Sequence, residues 1–419
     1  MENKKSFALG YSYVLESFLS WFFYGLLVAS GLSTIIMNFS TKTGIPVASI
    51  YSVNTIGGYL SVVGVFVCSA IMKKKGIRFL TTISYLLTAV GVLIVGHGNT
   101  IGAYIAFSAI TQFFYHGYCY GASNALIANW FPRKRGYILG ISTTGLMVST
   151  FTGVMFTTKM APVIGWANMC NFWAVVVIVM GVISWFWIKE RPEDCGLLPD
   201  NQPMSEDERI KFAPPTKELW TAGEILKNKD SILYIVGMGC LNMVGTGLLT
   251  MSIPYMMELG FDNVTAVWIS SLGGALAIVG SVLLGAVDTK FGTKPATVAL
   301  AICYTAGPLL VFFFNKLELL PAILAFYLVS LGAGGALANV GGSMVVNMYG
   351  RSGYNQAWRY LNTGAQLLKA CCYTAIGGIT LTLGSYAYVC VVWGLVALIG
   401  LICISAGKFS YREPSKSAR

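Results

Sequence analysis

Charged side chains are scarce in this sequence: Asp, Glu, Lys and Arg together make up 11% of its 419 residues. A soluble domain usually carries about 25% charged residues. Because 55% of the residues are hydrophobic, the chain has too few polar groups to cover a folded surface in water. Lipid is therefore the expected solvent for most of that surface.

The residues of metal and redox chemistry are also sparse. Only two histidines occur, and the ten cysteines are scattered without a CxxC pair, so no metal or redox motif is recognisable. The sequence also lacks a phosphate-binding loop, a nucleophile elbow and paired carboxylates at matching depth. We therefore predict no enzymatic activity, no metal and no cofactor.

The sequence does contain long apolar runs. A membrane-spanning helix needs roughly 20 mostly apolar residues, and twelve runs meet that criterion. The predicted spans 1 to 12 cover residues 9–37, 47–71, 79–97, 102–129, 136–158, 165–188, 231–257, 263–287, 295–314, 319–346, 354–383 and 385–407.

Positive charge is concentrated at one end of these spans. The two tails and the loops after even-numbered spans hold most lysines and arginines, whereas the other loops hold only Lys42, Lys159 and Lys316. This asymmetry places both termini in the cytoplasm and explains the net charge of +11 without nucleic acid. The predicted location is the inner or plasma membrane, with lipid around the chain.

A polar stretch divides six spans from six. Residues 189–230 form a central cytoplasmic loop between an N-terminal bundle (1–188) and a C-terminal bundle (231–407), and a tail (408–419) follows. Gly76 and Gly292 occupy similar loops 216 residues apart, which indicates an internal duplication. Duplicated bundles with a site near the membrane midplane are typical of transporters, so we expect an all-α membrane protein of two pseudo-symmetric six-helix bundles.

The loop after span 8 reads DTKFGTK and supplies an aspartate, a glycine and a cation: Asp288, Gly292 and Lys294. The loop after span 2 keeps the glycine and the cation as Gly76 and Arg78. In this loop motif and in its twelve spans, the sequence resembles the major facilitator superfamily. The resemblance implies that these five residues take part in gating and that spans 1, 4, 7 and 10 line a cavity.

Two further segments carry a narrower resemblance. They read ANWFPRKRGYILGISTTG (128–145) and ERPEDCGLLPDN (190–201), and they are similar to loops of the oxalate:formate antiporter and monocarboxylate transporter branch. The resemblance implies organic anions as substrates. One departure is clear: the oxalate antiporter of this branch uses an arginine in span 8, but span 8 here has no cation between Asp262 and Asp288.

A lysine, Lys369, lies in the middle of span 11. It is 16 residues from Gly353 and 14 from Leu383, so it is more than about 20 Å from either helix end. A charged lysine there costs roughly 2.5–3.5 kcal/mol on insertion scales, and its stem is too short to reach the headgroups. Three interpretations stay open: Lys369 binds an anionic substrate, pairs with the buried acid Glu16, or carries a proton.

Polar side chains recur at helical spacing around Lys369 and on neighbouring spans. On span 11 they are Arg359, Asn362, Gln366 and Tyr373; on span 4, Gln112, His116 and Tyr120; on spans 1 and 7, Tyr24 and Asn242. We predict that these residues bind substrate, except Arg359, which we place with Arg135 at the cytoplasmic mouth. Glu16 and His116 are the candidate proton carriers. The dense aromatics of WFFY (21–24) and FFY (113–115) are expected mostly to face lipid or pack between helices.

The predicted function is secondary transport of a monocarboxylate or related organic anion by alternating access, with proton symport or anion exchange. Two alternatives stay open: a proton-coupled exporter of amphiphilic compounds, and a non-transporting receptor with a transporter fold. The expected partners are the anion, a proton or counter-anion and lipid, and the expected state is a monomer.

Overall fold

The computed structural model describes residues 2–203 and 220–412; within these ranges the side chains of residues 2–7, 135–137, 351, 352 and 355 are not described. All regular structure in the described ranges is helical, which confirms the predicted all-α class. Contacts between residues divide the chain into two units, Met1–Pro214 and Pro215–Arg419. They are called the N-terminal unit and the C-terminal unit below.

The N-terminal unit contains spans 1 to 6. Span 1 is two helices, Glu2–Leu27 and Leu32–Thr43, and spans 2 and 3 are the two parts of Val47–His97. The helices of span 4 are Ile101–Ile110, His116–Tyr118 and Asn124–Trp130, with π-helical segments Thr111–Tyr115 and Cys119–Ser123 between them. Span 5 is Arg135–Ser149, the π segment Thr150–Val154 and Met155–Ile164, and span 6 is Trp166–Trp187. Two 3₁₀ turns follow, Pro192–Cys195 and Pro199–Asn201.

The C-terminal unit contains spans 7 to 12. A short helix, Ala222–Leu226, precedes span 7 (Lys229–Glu258), span 8 (Asn263–Phe291) and span 9 (Thr293–Lys316). Span 10 begins with Leu320–Ala333 and the 3₁₀ turn Gly334–Ala336. It continues into the helix Leu337–Leu383, whose later part is span 11, and Tyr386–Ala406 is span 12.

By length and composition alone, eight helices of the described residues are able to cross a membrane, or nine if the bent pair in span 1 counts as one span. The difference from twelve has physical causes. Val47–His97 counts once although it holds two spans, and π segments divide span 4 into short pieces. Span 11 is not among the eight helices because its polar stripe lowers its mean hydropathy.

Single glycines interrupt the helices at the positions where loops between spans were predicted. Gly76 (φ 88°, ψ 169°) separates spans 2 and 3, and Gly350 (φ 67°, ψ 176°) separates spans 10 and 11. Gly292 (φ 96°, ψ 166°) lies between spans 8 and 9. Positive φ is a backbone conformation that only glycine adopts without strain. The nearly equal φ and ψ angles of Gly76 and Gly292 fit the internal duplication. The loops predicted between spans 2 and 3 and between spans 8 and 9 were too long, because helix continues almost to the glycine on both sides.

Span 1 is not the continuous helix that was predicted for residues 9–37. Its two helices meet at an angle of 40°. A methyl group at Gly31 would lie 1.9 Å from the carbonyl oxygen of Leu26, so the chain folds back there as only glycine allows. The hydropathy of residues 28–31 gave no sign of the break, because the bend arises from close backbone contact rather than from polarity.

Candidate functional site

Lys369 lies on the face of span 11 that is turned away from the exposed residues. Leu367 is 42% exposed, and Thr374 and Gly378 continue its exposed face. Since consecutive residues of a helix are about 100° apart, Lys369 lies about 160° around the helix from Leu367. Its side chain is partly buried. No ion pair or hydrogen bond joins its ammonium group to a described residue of the C-terminal unit.

Two acids of this unit are engaged elsewhere, at helix ends. Glu258 accepts hydrogen bonds from Ser385 Oγ at 2.5 Å and from the Tyr386 backbone N–H at 2.9 Å. Asp262 accepts a hydrogen bond from Thr265 Oγ1 at 2.5 Å, which holds the pKa of its carboxyl below the usual value. Neither acid compensates the charge of Lys369.

The polar companions of Lys369 share its helix face. Asn362, Gln366 and Tyr373 lie within about 60° of Lys369 around the helix. Gln366 Nε2 donates to Asn362 Oδ1 at 3.5 Å, and the Tyr373 side chain is 5% exposed. The structure thus places four of the predicted binding residues together on one stripe.

Span 7 packs closely on this part of span 11. A methyl group at Gly239 would lie 2.7 Å from Leu368 Cδ1, and one at Gly364 would lie 2.8 Å from Ile235 Cγ2. Asn242, one turn beyond Gly239, is partly buried, and its Nδ2 donates to Met238 O at 2.7 Å. The amide of Asn242 is therefore oriented by its own helix.

Arg359 and Arg135 were predicted at the cytoplasmic mouth. Arg359 is exposed, and its guanidinium carbon lies 5.6 Å from the centre of the Tyr360 ring. The helix of span 5 begins at Arg135, but the Arg135 side chain lies outside the described residues. The role of both as mouth residues stays a prediction.

Span 4 departs from a regular α-helix where its polar stripe lies. Gln112 falls within the first π segment, Tyr120 falls within the second, and His116 begins the turn between them. Such π turns are rare and are often found at functional sites. Gly117 and Gly121 lower the helix preference of this stretch, and the approach of span 2 at Gly117 leaves no room for a side chain.

Four rings from spans 1 and 4 form one group, called the aromatic cluster below: Trp21, Tyr24, His116 and Tyr120. The His116 ring stacks on Tyr120 at 4.6 Å between centroids with an interplanar angle of 20°. Trp21 meets Tyr120 edge to face at 5.1 Å, and Tyr24 meets Tyr120 at 5.7 Å. Tyr120 therefore contacts every other ring of the cluster.

A hydrogen bond fixes the orientation of the His116 ring. The Tyr24 hydroxyl lies 2.9 Å from His116 Nδ1, and both side chains are about 95% buried. The structure brings together three residues that the sequence placed on two separate spans. Trp21 was not among the predicted site residues; the WFFY run contained the signal, but its aromatics were expected to face lipid or pack between helices.

Glu16 is fully buried inside the N-terminal unit. Its Oε1 accepts hydrogen bonds from Tyr118 at 2.6 Å and from Ser20 at 3.1 Å. The Tyr85 hydroxyl lies 2.9 Å from Ser20 Oγ, and Tyr115 donates to the backbone oxygen of Ser20 at 3.0 Å. Glu16 Oε2 has no hydrogen-bond partner among the described residues.

Ser20 lies one turn from Glu16 on span 1, but Tyr118 of span 4 and Tyr85 of span 3 were missed because they are far from Glu16 in sequence. All the described contacts of its carboxylate are hydroxyl groups, and none is a cation. An ionised carboxylate would leave a buried charge without a compensating cation. Glu16 and His116, the two predicted proton carriers, therefore lie in different surroundings. The Nδ1 atom of His116 contacts the Tyr24 hydroxyl, which is not one of the groups around Glu16.

The gating residues make contacts within their own units. Asp288 Oδ1 accepts a hydrogen bond from Thr293 Oγ1 at 2.6 Å. Lys294 Nζ donates to the carbonyl oxygens of Ser405 and Gly407, both at 2.8 Å, so it caps the end of span 12. The corresponding cation of the other unit, Arg78, stacks on the Trp185 ring near the end of span 6 at 4.9 Å.

The two segments of the narrower resemblance contact each other. Asn129 Nδ2 donates to Glu190 O at 3.1 Å, and Trp130 Nε1 donates to Lys189 O at 3.0 Å. The backbone N–H of Arg133 donates to Asp200 Oδ2 at 2.9 Å. The first part of the predicted central loop is therefore fastened to the end of span 4.

Comparisons with known proteins agree with the fold and the transporter motifs. The family description Major Facilitator Superfamily matches residues 9–342 of this chain. Among solved structures, the crystal structure of a D-xylose-proton symporter superposes with a TM-score of 0.73. The match covers 96% of this chain and 98% of that one at 14% identity, so it shows the similarity of fold alone.

One curated relative matches over a short stretch. Glucose-6-phosphate exchanger SLC37A2 of Xenopus tropicalis is 27% identical over 89 residues, which make up 21% of this chain. Those residues cover 18% of that protein's length.

In the described residues of this chain, no group of three or more His, Cys, Asp or Glu side chains is arranged to hold a metal ion.

Proposed function

The chain belongs to the major facilitator superfamily, and from that premise we propose that it transports an organic anion, in the first place a monocarboxylate. It is a multi-pass membrane protein and a secondary transporter of small molecules rather than an enzyme. The proposal adds the substrate's charge, the inner or plasma membrane as its location, both termini in the cytoplasm, and a monomeric working state.

The observation that carries the proposal is the environment of Lys369. Its position is more than about 20 Å from either helix end, it is turned from the exposed face of span 11, and no described acid of its unit pairs with it. A charge kept in a membrane protein under these conditions marks a substrate or ion path. Lys369 binds the carboxylate of the substrate in this proposal.

Other predicted residues orient the bound anion. Asn362, Gln366 and Tyr373 lie on the same stripe as Lys369 and offer amide and hydroxyl groups, and Asn242 does so from span 7. On the N-terminal unit the proposal assigns contacts with the substrate to Gln112, His116, Tyr120 and Tyr24. Arg359 and Arg135 attract anions to the cytoplasmic mouth. The gating residues stabilise the ends of the spans while the protein alternates between its inward-open and outward-open states; they are Asp288, Gly292, Lys294, Gly76 and Arg78.

Coupling is the second part of the proposal. Glu16 is held by hydroxyl groups alone, so binding and release of a proton there would change the charge of a buried group. This supports proton symport through Glu16 in preference to His116. The relative named as an exchanger of glucose 6-phosphate supports anion exchange as the competing mode, and it adds phosphate esters to the anions that deserve testing.

A thermal-shift screen of anions on the purified full chain tests the proposal. A ligand at 100 times its Kd stabilises the folded state by about 2.7 kcal/mol. Carboxylates should raise the unfolding temperature of the wild type and of Lys316→Gln, a control that removes an exposed lysine, but not of Lys369→Gln. Equal stabilisation of Lys369→Gln would refute the role of Lys369 as the anion site.

The aromatic cluster favours a second candidate, a proton-coupled exporter of amphiphilic compounds. Such a pump binds cations or neutral molecules, whereas a site built around Lys369 rejects cations. Competition between acetate-like and ammonium-like analogues separates the two functions. Flux of the bound solute into proteoliposomes, whether the anion or the amphiphilic compound, separates both from a receptor that binds without transport.

A further inference from the structure

We propose that Tyr118 and Ser20 are positioning residues for Glu16: they hold its Oε1 atom, so that Glu16 binds its proton on Oε2. This inference rests on the proposed function, in which Glu16 is the proton carrier. It adds which atom takes the proton and which side chains determine that choice. All the groups concerned belong to spans 1, 3 and 4 of the N-terminal unit.

The two oxygen atoms of the Glu16 carboxyl have unequal surroundings. Oε1 accepts hydrogen bonds from the hydroxyl groups of Tyr118 at 2.6 Å and Ser20 at 3.1 Å. Oε2 is buried and has no hydrogen-bond partner among the described residues. Since a carboxylate oxygen offers about two lone pairs to donors, both of those on Oε1 are in use, whereas those on Oε2 are available.

The position of the proton follows from this difference. A proton that binds to Oε2 leaves both hydrogen bonds to Oε1 in place and converts the ionised carboxylate into a neutral acid. A proton on Oε1 would have to displace or reverse at least one of them. In the ionised state Oε2 bears negative charge without a described donor, which is costly in a buried group. Protonation of Oε2 removes that charge.

A wider network keeps the two donors directed at Oε1. The Ser20 hydroxyl lies 2.5 Å from the Tyr118 hydroxyl and 2.9 Å from that of Tyr85, and Tyr115 donates to the backbone oxygen of Ser20. The rings of Tyr115 and Tyr118 meet edge to face at 5.6 Å. Because all these side chains are fully buried, the Tyr118 hydroxyl is held beside Glu16 by packing as well as by hydrogen bonds.

The other titratable groups around Glu16 are weaker acids. From spans 1, 3 and 4 they are Tyr13, Tyr85, Tyr115, Tyr118 and Cys119. Thiol and phenol groups in water lose their protons only at about pH 8.5 and pH 10. Glu16 is therefore the group of this set that exchanges a proton, and the tyrosine hydroxyls act as hydrogen-bond donors.

Infrared difference spectroscopy of the purified full chain between high and low pH tests the inference without a substrate. The carboxyl C=O band that disappears in Glu16→Gln belongs to protonated Glu16. With the proton on Oε2, the carbonyl oxygen is Oε1, and the hydrogen bonds that it accepts lower the stretching frequency. The band should move to higher frequency in Tyr118→Phe, and by less in Ser20→Ala, because the bond from Ser20 is longer.

Tyr104→Phe is the matched control for Tyr118→Phe. Tyr104 is another fully buried tyrosine of span 4, and its hydroxyl donates to Asn54 Oδ1 at 3.1 Å rather than to Glu16. The substitution removes a buried hydroxyl group without changing the surroundings of Glu16. The infrared band should therefore stay at its wild-type frequency.

Transport gives a second measure of the same role. Proton-driven uptake into proteoliposomes should fall roughly tenfold in Tyr118→Phe, because the ionised carboxylate that remains after proton release loses a hydrogen bond worth at least that factor. Counterflow exchange requires no proton release and should stay at the wild-type level. Both activities should be unchanged in Tyr104→Phe, so a loss of proton-driven uptake there would overturn the assignment to Tyr118.

The outcomes separate this inference from the proposed function. A band that stays in place in Tyr118→Phe would overturn the inference, because the carbonyl oxygen would then be Oε2; so would the absence of any band that Glu16→Gln removes. If Tyr118→Phe does not fold, an unshifted band in Ser20→Ala overturns it in the same way. A shifted band with unchanged pH-driven uptake in Glu16→Gln would support the position of the proton and refute Glu16 as the carrier.

Discussion

The Tyr118 hydroxyl on span 4 donates a hydrogen bond of 2.6 Å to Glu16 Oε1 on span 1. Tyr118 is the last residue of the short turn that begins at His116, between the two π segments of span 4. The only acid well inside a predicted span is thus tied to the irregular part of span 4. A change of charge at Glu16 would act directly on Tyr118, which lies two residues before Tyr120 of the aromatic cluster.

The substitution Glu16→Gln should abolish proton-driven accumulation of the anion and keep counterflow exchange. The amide keeps the shape of the carboxyl and can still accept the hydrogen bond from Tyr118, but it cannot bind and release a proton. Uptake into proteoliposomes with and without an imposed pH gradient measures both activities. Unchanged pH-driven uptake would exclude Glu16 as the carrier, and its loss in His116→Gln instead would assign that role to His116.

The substitution Gly76→Ala should destabilise the protein more than Gly292→Ala. Both glycines combine positive φ with ψ near 170°, a backbone region essentially restricted to glycine that costs another residue about 1–3 kcal/mol. A methyl group at Gly76 would also lie 1.9 Å from Glu190 Oε1, whereas one at Gly292 meets nothing within 4 Å. Because Oε1 is the end of a flexible side chain, Glu190 would move aside and give up the hydrogen bond from the Arg78 backbone N–H at 3.4 Å, for an extra cost of about 0.5–1.5 kcal/mol. Thermal unfolding in detergent measures the difference.

A second background isolates the contact with Glu190. In Glu190→Ala the extra cost of Gly76→Ala should disappear, so that the two glycine substitutions become equally harmful. If the extra cost persists there, the clash with Glu190 is not its cause. If the two glycines are equivalent in the wild-type background, the contact has no energetic weight.

Replacement of Asp200 should weaken the attachment of the loop to span 4. Asp200 has a φ of 53° and accepts the hydrogen bond from the Arg133 backbone. Asp200→Ala loses the acceptor and keeps an unfavourable backbone conformation, for a cost of about 1–3 kcal/mol. Asp200→Asn should cost much less, since asparagine tolerates left-handed φ and keeps an acceptor.

Limited proteolysis of the loop and thermal unfolding together check this prediction. The control is Glu193→Ala, which removes an exposed acid from the same loop. Asp200→Ala should be cut faster and unfold earlier than this control. Equal behaviour of Asp200→Ala and Asp200→Asn would show that neither the hydrogen bond nor the backbone conformation matters for the attachment.

Hydropathy predicted the helical segments and their order along the chain because a span must satisfy its backbone hydrogen bonds within a helix in lipid. The breaks were less predictable. Gly76 and Gly292 could be anticipated from the loop motif, but the bend at Gly31 depends on contact with the carbonyl of Leu26, which no periodicity encodes. The π segments of span 4 were likewise invisible to a pattern with a period of 3.6 residues.

The candidate site was partly accessible from the sequence. A stripe on one helix follows from spacing alone, so Asn362, Gln366 and Lys369 could be grouped correctly. The surroundings of Glu16 could not, because Tyr85 and Tyr118 come from other spans and their distances to it depend on packing. Trp21 could not be predicted either, because its contact with Tyr120 joins two different spans and depends on how they pack.

The most direct measurement of the central claim is the flux of a monocarboxylate, one that the wild type carries, into proteoliposomes that contain Lys369→Gln. Removal of the ammonium group takes away the charge that binds the anion, so flux should fall to the level of protein-free liposomes. Lys316→Gln, reconstituted at the same density, should match the wild type. Undiminished flux through Lys369→Gln would contradict the account.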